Sequence, residues 1–149
     1  VAQRRSRTTS KAGARYAWVD AQDPSHDNVV QLLRWILSLP EAERLDVIGR
    51  ITALRNLAAD GLIDDGDDEL LDAIRRNPDV WELRWNFDGV LVRQYHAEPA
   101  EAPSELIDLH AHIKEIFPND QQAIDDSQDV QISQGLFRYK IYRGSRRWS

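Results

Sequence analysis

Apolar positions recur at helical spacing in two consecutive stretches near the N-terminus. Val29, Val30, Leu32, Leu33, Trp35, Ile36, Leu37 and Leu39 predict a strongly apolar first helix, with Ser25 or Asp27 available as its N-cap. Pro40 stops that helix and suits the first turn of a second, where Glu41 and Glu43 favour the positive end of the helix dipole. Leu45, Ile48, Ile51, Thr52, Leu54 (or Arg55) and Leu57 or Ala58 carry the period on to Gly61, which reads as the residue after the C-terminus. Ahead of this pair, Arg15-Tyr16-Ala17-Trp18-Val19-Asp20 alternates polar and apolar and predicts a short first strand.

From residue 80 the period changes to two. Val80–Asn86 and Val90–Tyr95 are separated by Phe87-Asp88-Gly89, and Asp-Gly between such runs predicts a tight hairpin. A turn at Asp88-Gly89 sets Phe87 opposite Val90, Trp85 opposite Val92, Arg84 opposite Arg93 and Glu82 opposite Tyr95. The first two pairs form an apolar face for the helices. Ala97–Ser104, with two prolines, is a longer connection, after which Glu105–Ile113 alternates again. Ile107, Leu109, Ala111 and Ile113 share one face of that strand; Leu106, Asp108, His110 and His112 share the other, with Lys114 continuing the alternation. Pro118-Asn119-Asp120 opens a final helix expected to run to about Ser133 and end at Gly135. Beyond it Phe137, Tyr139 and Ile141 alternate with Arg138, Lys140 and Tyr142, as a last strand or a docking arm would.

Residues 60–72 hold seven acids. A calcium loop with Gly66 at its sixth position would put Gly61 where the first carboxylate is required, so that reading fails. The stretch reads as a solvated acidic loop leading into a short helix at Glu69–Arg76.

Charge sharpens the organisation. The 149 residues carry a net charge of −6, but residues 1–15 and 136–149 each hold five basic groups and no acid. The remaining 120 residues carry 9 basic and 25 acidic groups, a net of −16. The expected layout is a basic flexible arm at 1–13, a single domain at 14–134 and a basic strand or arm at 135–149. An acidic body resists generic duplex binding, so any nucleic-acid role must rest on a local basic site or on the ends. No apolar run approaches the ~18 residues of a membrane span, and the basic N-terminus lacks the apolar stretch of a secretory signal. The absence of Cys excludes a disulfide scaffold, a thiolate metal site and a cysteine nucleophile, and it fits a cytoplasmic protein.

Two arginines opposed on a ladder repel, so Arg84 and Arg93 imply either a shared anion or neutralisation by Glu82 or another carboxylate. If His110, His112 and Lys114 lie on the same face, with Tyr95 beside them, three segments converge on one basic site whose imidazoles can move protons near neutral pH. The bland alternative is an exposed polar sheet face. A metal held by the histidine pair lacks an evident third ligand, and no cofactor is expected.

The succession of a first strand, a helical hairpin, Trp81-Glu82-Leu83-Arg84-Trp85, Val92-Arg93-Gln94-Tyr95 and Leu109-His110-Ala111-His112-Ile113-Lys114 resembles the RelE/HigB toxin superfamily, especially its phage-derived branch. The likeness covers roughly residues 14–134 in element order and is sharpest over 81–114. It implies a small α+β fold, with an N-terminal strand and helical hairpin packed on a twisted antiparallel sheet. It also implies metal-independent cleavage of messenger RNA on the ribosome, by attack of a ribose 2′-hydroxyl on the adjacent phosphodiester, and a cognate antitoxin as partner. Arg84 and Arg93 would then grip the scissile phosphate, His110 or His112 would act as base or acid, and Lys114 would add charge stabilisation. Tyr95 would orient or stack a base, and Arg138, Lys140 and Arg143 would add RNA contacts. This chain departs from the pattern at Glu115, where the family has a second lysine, and at His112, which replaces an aromatic residue. Those departures and the acidic body leave a second expectation open: a repurposed, non-cutting member, or a phage assembly protein, that binds a protein or RNA partner through its basic ends.

Overall fold

The computed structural model describes residues 4–11, 13 and 15–149. Helix α1 (Asp27–Ser38) starts where the His26 side chain accepts a bond from the Asn28 amide, so His26 takes the capping role expected of Ser25 or Asp27. It buries Val29, Leu32 and Ile36 and stops at Leu39, whose backbone is extended ahead of Pro40. Helix α2 (Glu41–Ala59) runs back across the same sheet face and buries Val47, Leu54 and Ala58. At Gly61, φ is +71° and a Cβ would lie 2.5 Å from Ser10 Oγ, so turn geometry and crowding both require glycine.

Five strands form one mixed sheet in the order β1-β5-β4-β3-β2, and the fold is α+β. They are β1 (Ala17–Asp20), β2 (Leu71–Ala73), β3 (Val80–Phe87), β4 (Val90–Ala97) and β5 (Glu105–Ile113). β1 runs parallel to β5, because the chain crosses over through the α1–α2 hairpin and three further strands before returning beside it. The expected all-antiparallel sheet is therefore corrected at that edge. β2 replaces the helix expected at Glu69–Arg76: its three residues pair with β3 and extend the other edge. The β3–β4 register matches the expectation pair for pair, from Phe87 opposite Val90 through Arg84 opposite Arg93 to Glu82 opposite Tyr95. Asp88 and Gly89 both take positive φ, as a type I′ turn demands.

Strand β5 breaks its own alternation. Tyr95 pairs with His110 but His96 pairs with Asp108, so Leu109 is an extra, bulged residue. The bulge separates side chains expected on one face. His110 and His112 point one way with Ile107 and Leu109, while Leu106 and Asp108 point the other way with Ala111 and Ile113.

Helix α3 (Gln121–Ser145) is the largest departure. It runs straight through Gly135, so residues 135–149 hold no strand, and it lies across the sheet face opposite the α1–α2 hairpin. Two cores result. One, around Leu32, Ile36, Leu54, Leu83, Trp85 and Val92, lies beneath the hairpin; the other, around Val80, Tyr95, Ile107, Leu109 and Tyr139, lies beneath α3.

The described part of the N-terminal arm is docked. A short 3-10 turn at Arg7–Thr9 buries Thr8, and Arg7 donates to the carbonyls of Pro99, Ala102 and Glu105. Arg4 donates to the carbonyls of Ile74 and Val80 and stacks over the Trp81 ring at 4.3 Å. Ser6 and His96 share the buried Glu98 carboxylate at 2.5 and 2.8 Å. Arg4 and Arg7 thus satisfy backbone carbonyls, whereas Arg5 and Lys11 stay exposed near Asp65 and Asp64. Residues 1–3 and Ala12 of the expected arm lie outside the described residues.

Candidate functional site

Sheet register alone brings the expected site together. Across β3, β4 and β5, Glu82–Tyr95–His110 form one row and Arg84–Arg93–His112 the next, all on the α3 face. Lys114 follows β5, its amide bonded to the Leu91 carbonyl, with Arg93, Glu82, Arg84 and Asp125 as its charged neighbours. The convergence of three segments is therefore real.

Its setting differs from the expectation. Helix α3 covers the face, leaving His110, His112, Tyr95 and Glu82 each 1% exposed. Three positions of α3 touch it at i, i+3 and i+7. Gln128 Nε2 donates to Glu82 Oε2 at 3.3 Å, Gln131 Oε1 accepts from His110 Nε2 at 2.7 Å, and the backbone at Gly135 lies flat on Tyr95. A Cβ at 135 would sit 3.3 Å from the Tyr95 ring, so this glycine is a close-approach residue and not the helix stop its type suggested.

The charges are internally matched. Glu82 Oε1 lies 2.8 Å from Arg84 Nε and 3.2 Å from Arg93 Nε, and Asp72 takes Arg84 Nη2 at 2.9 Å. The Arg93 contact is an ion pair without hydrogen-bond alignment, so that N–H is left unpaired while Arg93 Nη1 donates to the carbonyls of Trp85 and Val92. Of the two accounts of the opposed arginines, neutralisation by Glu82 is the one observed.

The imidazoles are held neutral. Only Nδ1 of His112 can donate to the Ile113 carbonyl, at 3.2 Å, which makes its Nε2 the acceptor for the Tyr95 hydroxyl at 3.0 Å. Burial depresses His112 to about 3, with the positive groups Arg93 and Lys114 adding to the effect. Burial likewise holds His110 at about 4, against the favourable Gln131 bond. A histidine acting as general acid near neutral pH must be held there as the imidazolium, and burial disfavours that form at both positions. Tyr95, driven up by desolvation, is a closed hydroxyl in a buried row and has no face on which a base could stack.

One end of the face remains open. Arg84 and Arg93 reach a cleft of about 470 Å³ that Arg50 of α2 and Asn86 also line, with Asp68 and Glu69 on its acidic side. The expected RNA contacts along the C-terminus are mostly engaged. Arg138 donates to the Ala21 carbonyl, Arg143 pairs with Glu101 and Asp79, and Lys140 alone of the three is exposed. Glu115 accepts from Ser127 and so fastens the first turns of α3. Sequence reasoning missed Gln128, Gln131 and Asp72 as partners of the site. The spacing of Gln128, Gln131 and Gly135 on one helical stripe was the available signal. Among the described residues no cluster of three or more His, Asp or Glu has metal-ligand geometry, and no helix is long and apolar enough to cross a membrane. No protein-family model, curated protein or solved structure matches this chain.

Proposed function

We propose that this chain is a RelE/HigB-like scaffold that binds a protein partner and does not cut RNA. The observation that carries the reading is the burial of Arg93, Tyr95, His110 and His112 beneath α3, with Glu82 as internal counter-ion. The succession of strand, helical hairpin, antiparallel strands and helix supports the scaffold half of the proposal. A nuclease needs a phosphate between its arginines and a protonated acid beside it; here a carboxylate holds the first position and both imidazoles are neutral. A protein partner with a cationic, amphipathic surface suits the rest of the molecule. The body is acidic, and Leu33, Leu37, Leu45 and Ile48 stand exposed on the α1–α2 hairpin near Glu41, Glu43 and Asp46.

Induced expression of the full chain in a bacterial host, with breaks mapped in translated messages, tests the proposal. Normal growth and intact messages are expected. Growth arrest with breaks that vanish in Arg84→Ala/Arg93→Ala would overturn it in favour of a ribosome-dependent endonuclease. The open cleft at Arg50, Arg84 and Arg93 is the feature that favours this second reading.

A further inference from the structure

Gln94 sits in the middle of β4, between Leu83 of β3 and Ala111 of β5, facing the α1–α2 hairpin. It is 3% exposed, yet its side-chain amide nitrogen has no hydrogen-bond partner. A buried amide N–H without a partner costs about 1–3 kcal/mol, so its persistence calls for a reason. Its polar neighbours do not partner it. Arg55 and Gln22 are both turned to Asp108, at 2.9 and 2.7 Å. The space beside Gln94 is instead a cavity of about 170 Å³ between hairpin and sheet, walled by Leu32, Ile36, Ile51, Trp85 and Val92 and floored by the small Ala111. Half-exposed Leu33 stands at its rim. An apolar cavity of roughly 150 Å³ is known to hold a benzene-sized molecule, and a single bridging water would leave most of this one empty.

We infer that this cavity is a binding site for a compact, uncharged molecule of about one ring that carries an amide or lactam edge. The ring fills the apolar walls. The edge offers a carbonyl to the orphaned Gln94 N–H and an N–H to its carbonyl oxygen. A charged ligand is disfavoured, because most of the walls are apolar and the Arg55 guanidinium at the margin already pairs with Asp108. This site lies on the opposite side of the sheet from the arginine–histidine face and shares only Leu33, at its rim, with the exposed hairpin surface described above.

Titration of the ¹⁵N-labelled full chain with benzamide, toluene and benzoate, followed by amide shifts, tests the inference. Saturable shifts on α1, α2 and β4 around Gln94 are expected with benzamide, weaker binding with toluene and none with benzoate. Gln94→Leu should weaken benzamide about tenfold, the loss of one paired polar edge, while leaving toluene binding equal or tighter. Its urea midpoint should be equal to or above that of the parent, so the loss cannot be ascribed to unfolding. Ala111→Leu, which fills the floor, should abolish binding of both. Three results would each overturn the proposal: no saturable shifts at these residues with any probe, benzamide binding unchanged in Gln94→Leu, or benzoate binding as well as benzamide.

Discussion

The two faces of the sheet are built on opposite plans. Beneath the α1–α2 hairpin the contacts are apolar, and the polar exceptions, the Arg55–Asp108 pair and Gln94, stand at the edge of a void. Beneath α3, an apolar cluster around Val80, Ile107 and Leu109 lies beside charged and hydrogen-bonding groups: Asp72, Arg84, Glu82 and Arg93 as one linked set, with Tyr95–His112 and His110–Gln131 as bonded pairs. On the hairpin face, stability scales with buried area, and any one contact is a small part of the total. On the α3 face the stakes are pairwise. Each group is tolerable only while its partner is present, and removal of one strands the other in a low dielectric. The hairpin face therefore specifies that a helix pair packs there, whereas the α3 face specifies one register of one helix.

The sharpest way to break this contrast is at Glu82. Glu82→Gln keeps the shape but leaves Arg84 and Arg93 without their shared anion, and a loss of about 3–5 kcal/mol in urea unfolding is expected. A loss below about 1 kcal/mol would mean that solvent in the neighbouring cleft already screens the arginines.

Acid should act next, and selectively on the α3 face. His110 and His112 titrate at about 4 and 3 in the fold and near 6.5 when unfolded. Below pH 6.5 the unfolded chain takes up protons that the fold refuses. The stabilisation from neutral imidazoles is thus complete above pH 6.5 and declines as pH falls. Each histidine contributes about 1.4 kcal/mol per pH unit, so by pH 5.5 the fold has lost about 3 kcal/mol. Urea midpoints at pH 7 and 5.5 measure the loss, and His110→Asn/His112→Asn should flatten it. An unchanged slope in the double variant would place the acid sensitivity among the other titratable groups of the chain.

The smallest of the three effects tests the fit of α3 itself. Gly135→Val forces a side chain against the Tyr95 ring and should cost about 2 kcal/mol by overpacking. It should also loosen the Gln131–His110 bond, which favours the charged imidazole, visible as a fall in the His110 titration midpoint by NMR. Destabilisation without that fall would mean that α3 shifts as a rigid unit along the sheet.

Much of the architecture was legible in the chain. The Asp88-Gly89 turn fixed the β3–β4 register to the residue, and the helical hairpin followed from apolar spacing and Pro40. The meeting of Arg84 and Arg93 was legible for the same reason, whereas the face taken by His110 and His112 depends on the β4–β5 register, which that turn does not set. The rest depended on tertiary contacts. Alternation in Glu105–Ile113 looks unbroken, yet the bulge at Leu109 sends Asp108 to the hairpin face. Glycine at 135 carries the signature of a helix end, and only the Tyr95 ring beneath it explains why it sits inside α3. Arg4 and Arg7 look like solvated tail charges because nothing local marks the carbonyls that receive them. Burial, which converts a reactive-looking cluster into a structural one, follows from the length of α3 and so was hidden with it.

The parallel edge between β1 and β5 has a consequence for the order of events during synthesis. Ala17 pairs with Glu105, and the residues ahead of it bond to Glu98, Ala102 and Ile74. Both apolar helices and the β3–β4 hairpin are therefore complete while the first strand still has nothing to pair with. Long-range pairings of this kind slow folding, since a large loop must close before they return any stabilisation. A nascent chain halted before residue 105 would display an uncapped β4 edge, and β5 and then α3 would supply the missing strand and cover the histidine face.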